Sequence, residues 1–154
     1  MERSPRPPGY GSVTPYLICR HATDAIAYYV RAFGAVETMR LTAPDGTIGH
    51  AELKIGDAML MLADEMMEMG FVGPESLGGT SVSLMLYVDD ADRVFETAIS
   101  AGGHVLRPVT DQFYGDRTGT LQDPFGHWWT IATHRETVPR DEIERRYREM
   151  FPTD

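Results

Sequence analysis

"DAIAYYVRAFG" runs from Asp24 to Gly34, and "DRVFETAISAG" runs from Asp92 to Gly102 with the same grammar. In the first stretch Ile26, Tyr29, Val30 and Phe33 recur at i, i+3, i+4 and i+7, the period of a helix with one apolar face. Gly34 is placed to end that helix in a left-handed cap. Asp24, Ile26 and Gly34 stand 68 positions before Asp92, Val94 and Gly102. That offset spans half a domain, so the chain reads as an internal duplication.

The flanks of the two helices agree. "VTPYLIC" from Val13 is β-branched and apolar enough for a strand, and "AVETMRLTA", "IGHAELKI" and "AMLMLAD" follow the first helix as three more, parted by the turns "PDG" and "GD". "TSVSLMLYV" precedes the second helix, with "HVLRPV", "DRTGTLQ" and "HWWTIAT" after it. Each half of about 60 residues buries too little apolar surface to stand comfortably alone, so the halves are expected to share a core. The fold class is α+β: tandem βαβββ modules, about 13–65 and 80–136, forming a cup-shaped mixed sheet within a domain at 13–136. Residues 1–12, rich in proline, read as a flexible leader. Residues 137–154 read as a C-terminal helix with Ile143, Tyr147 and Met150 on one face and Glu142/Arg146 and Glu144/Arg148 at pairing distance.

Charge narrows the function classes. The 154 residues carry a formal net charge of -9, with 23 acidic against 14 basic side chains, which disfavours a phosphate-tracking surface; no nucleic-acid partner is expected. No apolar run approaches bilayer length, so no membrane partner is expected either. The single cysteine, Cys19, rules out an internal disulfide and fits a reducing cytoplasm.

With "AIAYYVRAFGA" after the first strand, "HAELKIGD" in the middle and "DPFGHWWTIATH" near the end, the chain resembles the glyoxalase, bleomycin-resistance and ring-cleaving dioxygenase superfamily, the vicinal oxygen chelate proteins. Within it the chain is most similar to the PhnB-like branch, over about Val13 to Glu136. The resemblance implies strands curled into a cup with helices outside, a small-molecule ligand inside, and a homodimer. In metal-dependent members four ligands, typically His and Glu, come from the first and last strand of each half. Carried onto this chain by counting from the matching motifs, those positions are Thr14, Met61, Ser83 and Thr130. Hydroxyls and a thioether are poor ligands for zinc or iron. No metal ligand and no cofactor are expected, with a divalent metal at an atypical site kept as the alternative.

Strand parity tells what lines the cup instead, because every second residue faces the same side. Thr14, Tyr16 and Ile18 fall inward; so do Met59, Met61 and Ala63, then Ser81, Ser83, Met85 and Tyr87, and finally Trp128, Thr130 and Ala132. Trp129 and Ile131 face the covering helix. The candidate ligand-binding residues are therefore Tyr16, His50, Met59, Met61, Ser83, Met85, Tyr87, Arg117, Trp128 and Thr130: flat aromatic faces, adaptable thioethers and a small polar patch. Arg117 is included as a partner for an anionic group. His50 and Glu52, two apart on one strand face, are the candidate catalytic acid and base. His127 reads as a rim residue, and His21, His104 and His134 sit at element ends without convergent partners. Met66, Met67, Met69 and Phe71 between the halves are expected to lid the cup, pack under a dimer partner or tuck onto the core.

Two functions stand against each other: a metal-independent protein that binds and sequesters a planar, largely apolar compound, or a lyase, isomerase or dioxygenase with an atypical site.

Overall fold

A computed structural model describes residues 3–153; the first two residues of the expected leader and the last of the expected C-terminal segment lie outside them. The first module runs β1 (Tyr16–Cys19), α1 (Ala22–Phe33), β2 (Val36–Thr42), β3 (Ile48–Ile55) and β4 (Ala58–Asp64). A connector holds a single 3-10 turn at Met67–Met69 and a short helix, α2 (Pro74–Leu77). The second module repeats the order with β5 (Ser83–Tyr87), α3 (Ala91–Ser100), β6 (His104–Asp111), β7 (Asp116–Gln122) and β8 (Trp128–His134), and α4 (Arg140–Glu149) follows. No helix among the described residues is long and apolar enough to cross a membrane.

Each module makes a four-stranded mixed sheet, β1-β4-β3-β2 and β5-β8-β7-β6. The first and last strands of a module pair in parallel, and the others are antiparallel. The duplication extends to the joints. Asp64 at the end of β4 accepts from the Ala22 backbone N–H at 2.8 Å, and Thr133, 69 positions later on β8, accepts from that of Ala91 at 2.9 Å. In both halves the last strand thereby satisfies an otherwise orphaned donor at the helix start.

Alternation in β3 separates the two faces of the first sheet. Ala51, Leu53 and Ile55 are buried, while His50, Glu52 and Lys54 are not. The buried faces of both sheets carry α1 and α3, which also pack on each other, so one core serves both halves. This double packing explains one departure from the expected helix stripe. Val30 is 45% exposed, and the buried face of α1 turns toward Ala25, Tyr28, Tyr29 and Ala32. Small alanines let a second helix approach, which a single apolar stripe against one sheet does not require. Gly34 does close α1 in the left-handed region, its N–H reaching Val30 O.

Two other expectations shift. The first strand starts at Tyr16 and not Val13, because Pro15 has no N–H to give a ladder and Val13 lies in solvent. Thr14 thus precedes the strand. In α4, Glu142 pairs with Arg146 at 2.9 Å as its spacing suggests, but Glu144 pairs with Arg140, one turn earlier, and not with Arg148.

Candidate functional site

The concave faces, away from the helices, carry the expected ligand-facing residues apart from Arg117. On the first sheet the registers Tyr16↔Met61 and Met61↔Glu52 set an aromatic ring, a thioether and a carboxyl side by side. Lys54↔Met59 extends the row beside it. On the second, Ser83↔Trp128↔Gln122 and Met85↔Thr130↔Thr120 form two such rows. Trp128 Nε1 donates to Gln122 Oε1 at 3.1 Å, and the Thr130 and Thr120 hydroxyls lie 2.9 Å apart.

The two faces meet at a cleft of about 580 Å³ between the modules. Tyr16 and Ile18 come to it from β1, Trp128 from β8, and Val72, Leu77 and Val82 from the connector. Its seam is held by His127, whose Nε2 donates to Ile18 O at 3.0 Å, so this histidine spans the modules as a structural clamp. The "DPFG" turn before it is fixed by Asp123, whose Oδ1 accepts from the backbone N–H groups of Phe125 and His127. Gly126 is left-handed there, at φ 91°, and a Cβ on it would stand 2.7 Å from Pro74 Cβ. Only glycine permits α2 to close this side of the cleft.

A polar chain leads out of the cleft along the first sheet. Tyr16 Oη lies 2.8 Å from His50 Nδ1, and His50 Nε2 lies 3.1 Å from Glu52 Oε1. A carboxylate only accepts, so Nε2 carries the hydrogen and the Tyr16 hydroxyl donates to Nδ1. The Tyr10 hydroxyl, shut off from solvent beside Glu52, has no partner of good hydrogen-bond geometry among the described residues. It nevertheless lies near enough to stabilise the charged carboxyl. Tyr10 and then His50 hold Glu52 below the usual carboxylate range, while desolvation and Glu52 push Tyr10 up to about 12. Tyr16 is raised too, by desolvation first and by Glu52 second.

Of the expected residues, Tyr16, His50 and Trp128 converge on the cleft and its polar edge. Met59 and Met85 meet at a separate narrow cavity of about 90 Å³ between β4 and β5. Tyr87 stands at the far end of the second sheet, its hydroxyl donating to Asp116. Arg117 is misplaced by the sequence reading. It faces the helix side, where Asp92 at 2.7 Å and Asp111 at 3.2 Å occupy its guanidinium, because β7 parity puts Asp116, Thr118 and Thr120 on the concave face. His134 also departs from expectation, since Asp116 and Thr137 converge on it. The residues that sequence reasoning missed are Gln122, Asp116, His134, Thr137, Tyr10 and the connector residues. For Asp116 and His134 a signal existed: pairing Gln122 with Trp128 across the turn carries the register to Asp116 opposite His134.

The four positions that the resemblance assigns to metal ligands hold hydroxyls, at Thr14, Ser83 and Thr130, and a thioether, at Met61. Among the described residues no group of three or more His, Cys, Asp or Glu side chains is arranged to hold a metal ion. The donors present do not fit zinc or iron.

Comparison with known proteins agrees with this architecture. The Mycobacterium bovis protein Mb0911c is 41% identical over 136 residues, covering 86% of this chain and 90% of its own. The crystal structure of PA1353 from Pseudomonas aeruginosa superposes with a TM-score of 0.67 at 26% identity, over 80% of this chain and 98% of that one. A PhnB protein from Bacillus cereus shares the fold, with a TM-score of 0.62 at 18% identity over 80% of this chain and 99% of its own. The family model that spans residues 10–131, covering both modules, is that of the Glyoxalase/Bleomycin resistance protein/Dioxygenase superfamily, to which the chain belongs.

Proposed function

We propose that the chain is a metal-independent small-molecule-binding protein whose ligand, planar and largely apolar, lies against Trp128 and Tyr16 in the inter-module cleft. The observation that carries this reading is the cleft itself: about 580 Å³, walled by Tyr16, Trp128 and aliphatic connector residues. A volume in the range of small-molecule sites, apolar walls and a few oriented polar groups are what such a ligand needs. Trp128 is 41% exposed and its indole is already hydrogen-bonded at the edge, so the ring face is offered for stacking.

A second copy of the chain completes the cup in this reading. Met39, Leu41, Met85 and Tyr87 stand on the concave faces with between 42% and 58% of their surface exposed, and Met67 and Met69 in the connector are exposed as well. Apolar surface spread in this way is the kind that self-association covers.

Titration with 9-aminoacridine, a planar aromatic dye, tests the binding. Saturable one-to-one quenching of tryptophan fluorescence is expected, weakened about tenfold or more in Trp128→Ala, with buried Trp129 as the internal reference. Absence of saturation, or the same affinity in Trp128→Ala, overturns it.

The Tyr16–His50–Glu52 chain favours one second reading, an acid-base enzyme of the same superfamily. His50 is within reach of both a hydroxyl and a carboxylate, as proton transfer requires. Turnover of any vicinal-oxygen substrate that survives unchanged in His50→Ala and Glu52→Ala removes these residues from that role.

A further inference from the structure

The far end of the second sheet carries a cluster that ligand binding in the cleft does not use. Asp116 opens β7 and His134 closes β8, directly opposite each other. His134 Nδ1 lies 2.7 Å from Asp116 Oδ1, and its Nε2 lies 3.0 Å from the Thr137 hydroxyl. Tyr87 Oη donates to the other carboxyl oxygen of Asp116 at 2.7 Å. Asp116 is 4% exposed, whereas the His134 side chain is 52% exposed, so an anchored carboxyl holds an accessible imidazole.

These contacts dictate where the protons sit. Asp116 accepts on both oxygens, so His134 carries its hydrogen on Nδ1 and presents a lone pair at Nε2. Thr137 Oγ–H then donates to Nε2. Orienting carboxylate, imidazole base and hydroxyl in that order is the arrangement that activates a weak oxygen nucleophile. Next to it lies a polar cavity of about 310 Å³, lined by Asp111, Gln112, Gly115, Asp116, Arg135 and Glu136. Arg135, on the rim of this cavity, is the one cation among its lining residues.

We infer that Thr137, His134 and Asp116 form an acyl-transfer site for small polar esters, separate from the cleft. Thr137 Oγ bonds to the ester carbonyl carbon while its proton passes to His134 Nε2. The carbon–oxygen bond to the leaving alcohol breaks, and that alcohol departs with the proton from Nε2. Water then attacks the acyl-threonine, giving one proton to Nε2. The carbon–Oγ bond breaks, the carboxylic acid leaves, and Thr137 recovers its proton. Asp116 and Tyr87 are positioning residues that fix the imidazole tautomer and direction.

The test uses the full chain with p-nitrophenyl acetate, circular dichroism verifying the fold of each variant. Nitrophenolate release is expected, with an acetyl group on the tryptic peptide Glu136–Arg140, whose one hydroxyl is that of Thr137. Thr137→Ala abolishes both and Thr137→Ser retains them. His134→Gln slows release by about 100-fold or more, and Asp116→Asn lowers kcat with KM unchanged, which a merely structural role would not do. Release unchanged in Thr137→Ala overturns the site, because His134 would then be acting on water. So does release no faster than an equal concentration of free imidazole produces, or acetyl found only on other peptides.

Discussion

Tyr29 Oη donates to Asp123 Oδ2 over 2.5 Å, tying the helix of the first module to the last turn of the second across 94 residues of chain. Asp123 is 1% exposed, and Trp129 Nε1–H shares the same oxygen at 2.9 Å. Around this pair Tyr29 stacks on Phe33 and Trp129 packs tilted against both, with Phe33 and Trp129 centroids 4.6 Å apart. The joint between the duplicated halves is thus a buried acid saturated by donors and wrapped in aromatic rings. Tyr29→Phe removes one donor and keeps the ring, and is expected to cost about 1 to 2 kcal/mol. Asp123→Ala strands the buried Tyr29 hydroxyl, the indole N–H and two backbone N–H groups together and is expected to cost about 3 kcal/mol or more. Urea unfolding of both variants checks the order; equal costs would show that Asp123 does not act as the shared acceptor.

Gly115 turns the chain between β6 and β7 at φ 102°, and a Cβ there would stand 2.2 Å from Glu136 O. The colliding atom is backbone, so it cannot swing away. Gly115 O accepts from the N–H groups of Arg135 and Glu136, which places the segment carrying Thr137. Gly115→Ala is therefore expected to destabilise by about 2 kcal/mol or more and to separate Thr137 from His134. A thermal melt reads the first effect and imidazole NMR shifts the second.

Alkaline pH loosens the first sheet's polar edge and the core. Tyr10 is raised to about 12, Tyr16 and Tyr28 are raised by desolvation, and buried Tyr29 is raised well above its ordinary value. A folded-state pKa above the unfolded one means that these neutral hydroxyls contribute fully below about pH 10 and lose their contribution as pH rises through the folded values. Chemical-denaturation midpoints are expected to fall steadily above about pH 10, with phenolate absorbance lagging that of free tyrosine. A midpoint flat from about pH 10 to 12 would contradict this assignment.

Self-association through the concave faces predicts that charge placed there separates the copies. Met39 and Leu41 sit on β2, exposed along its whole length. Leu41→Glu is expected to lower the sedimentation-derived mass to that of one chain, 17.2 kDa, with little change in secondary structure, since no buried contact is lost. Wild-type protein that sediments as a single chain at micromolar concentration would remove the second copy from the cup.

Much of this was legible in the one-dimensional pattern. Helical period at Ile26 and Tyr29, the left-handed cap at Gly34, and the alternation in "GHAELKI" from Gly49 each follow from local geometry, and each stands where the spacing placed it. Alternation also sorted Trp128 from Trp129: the second is 3% exposed in the core and the first faces outward. Arg117 shows where such reasoning ends. Its neighbours in the chain include Asp116, yet its carboxylate partners, Asp92 on α3 and Asp111 on β6, depend on which sheet face it takes.

The sequence by itself determined the duplication, the faces of β3 and β8, the acidic character of the chain and the poverty of metal-type donors at Thr14, Met61, Ser83 and Thr130. These depend on period, spacing and side-chain chemistry, all of which act over a few residues or one repeat. Tertiary structure alone decided that Tyr16 and Trp128, 112 positions apart, share one cleft, that His127 clamps its seam to Ile18, and that Thr137, His134 and Asp116 fall into line. Those arrangements rest on hydrogen-bond register and on the packing of one module against the other, where a shift of a single residue would turn each side chain to the opposite face.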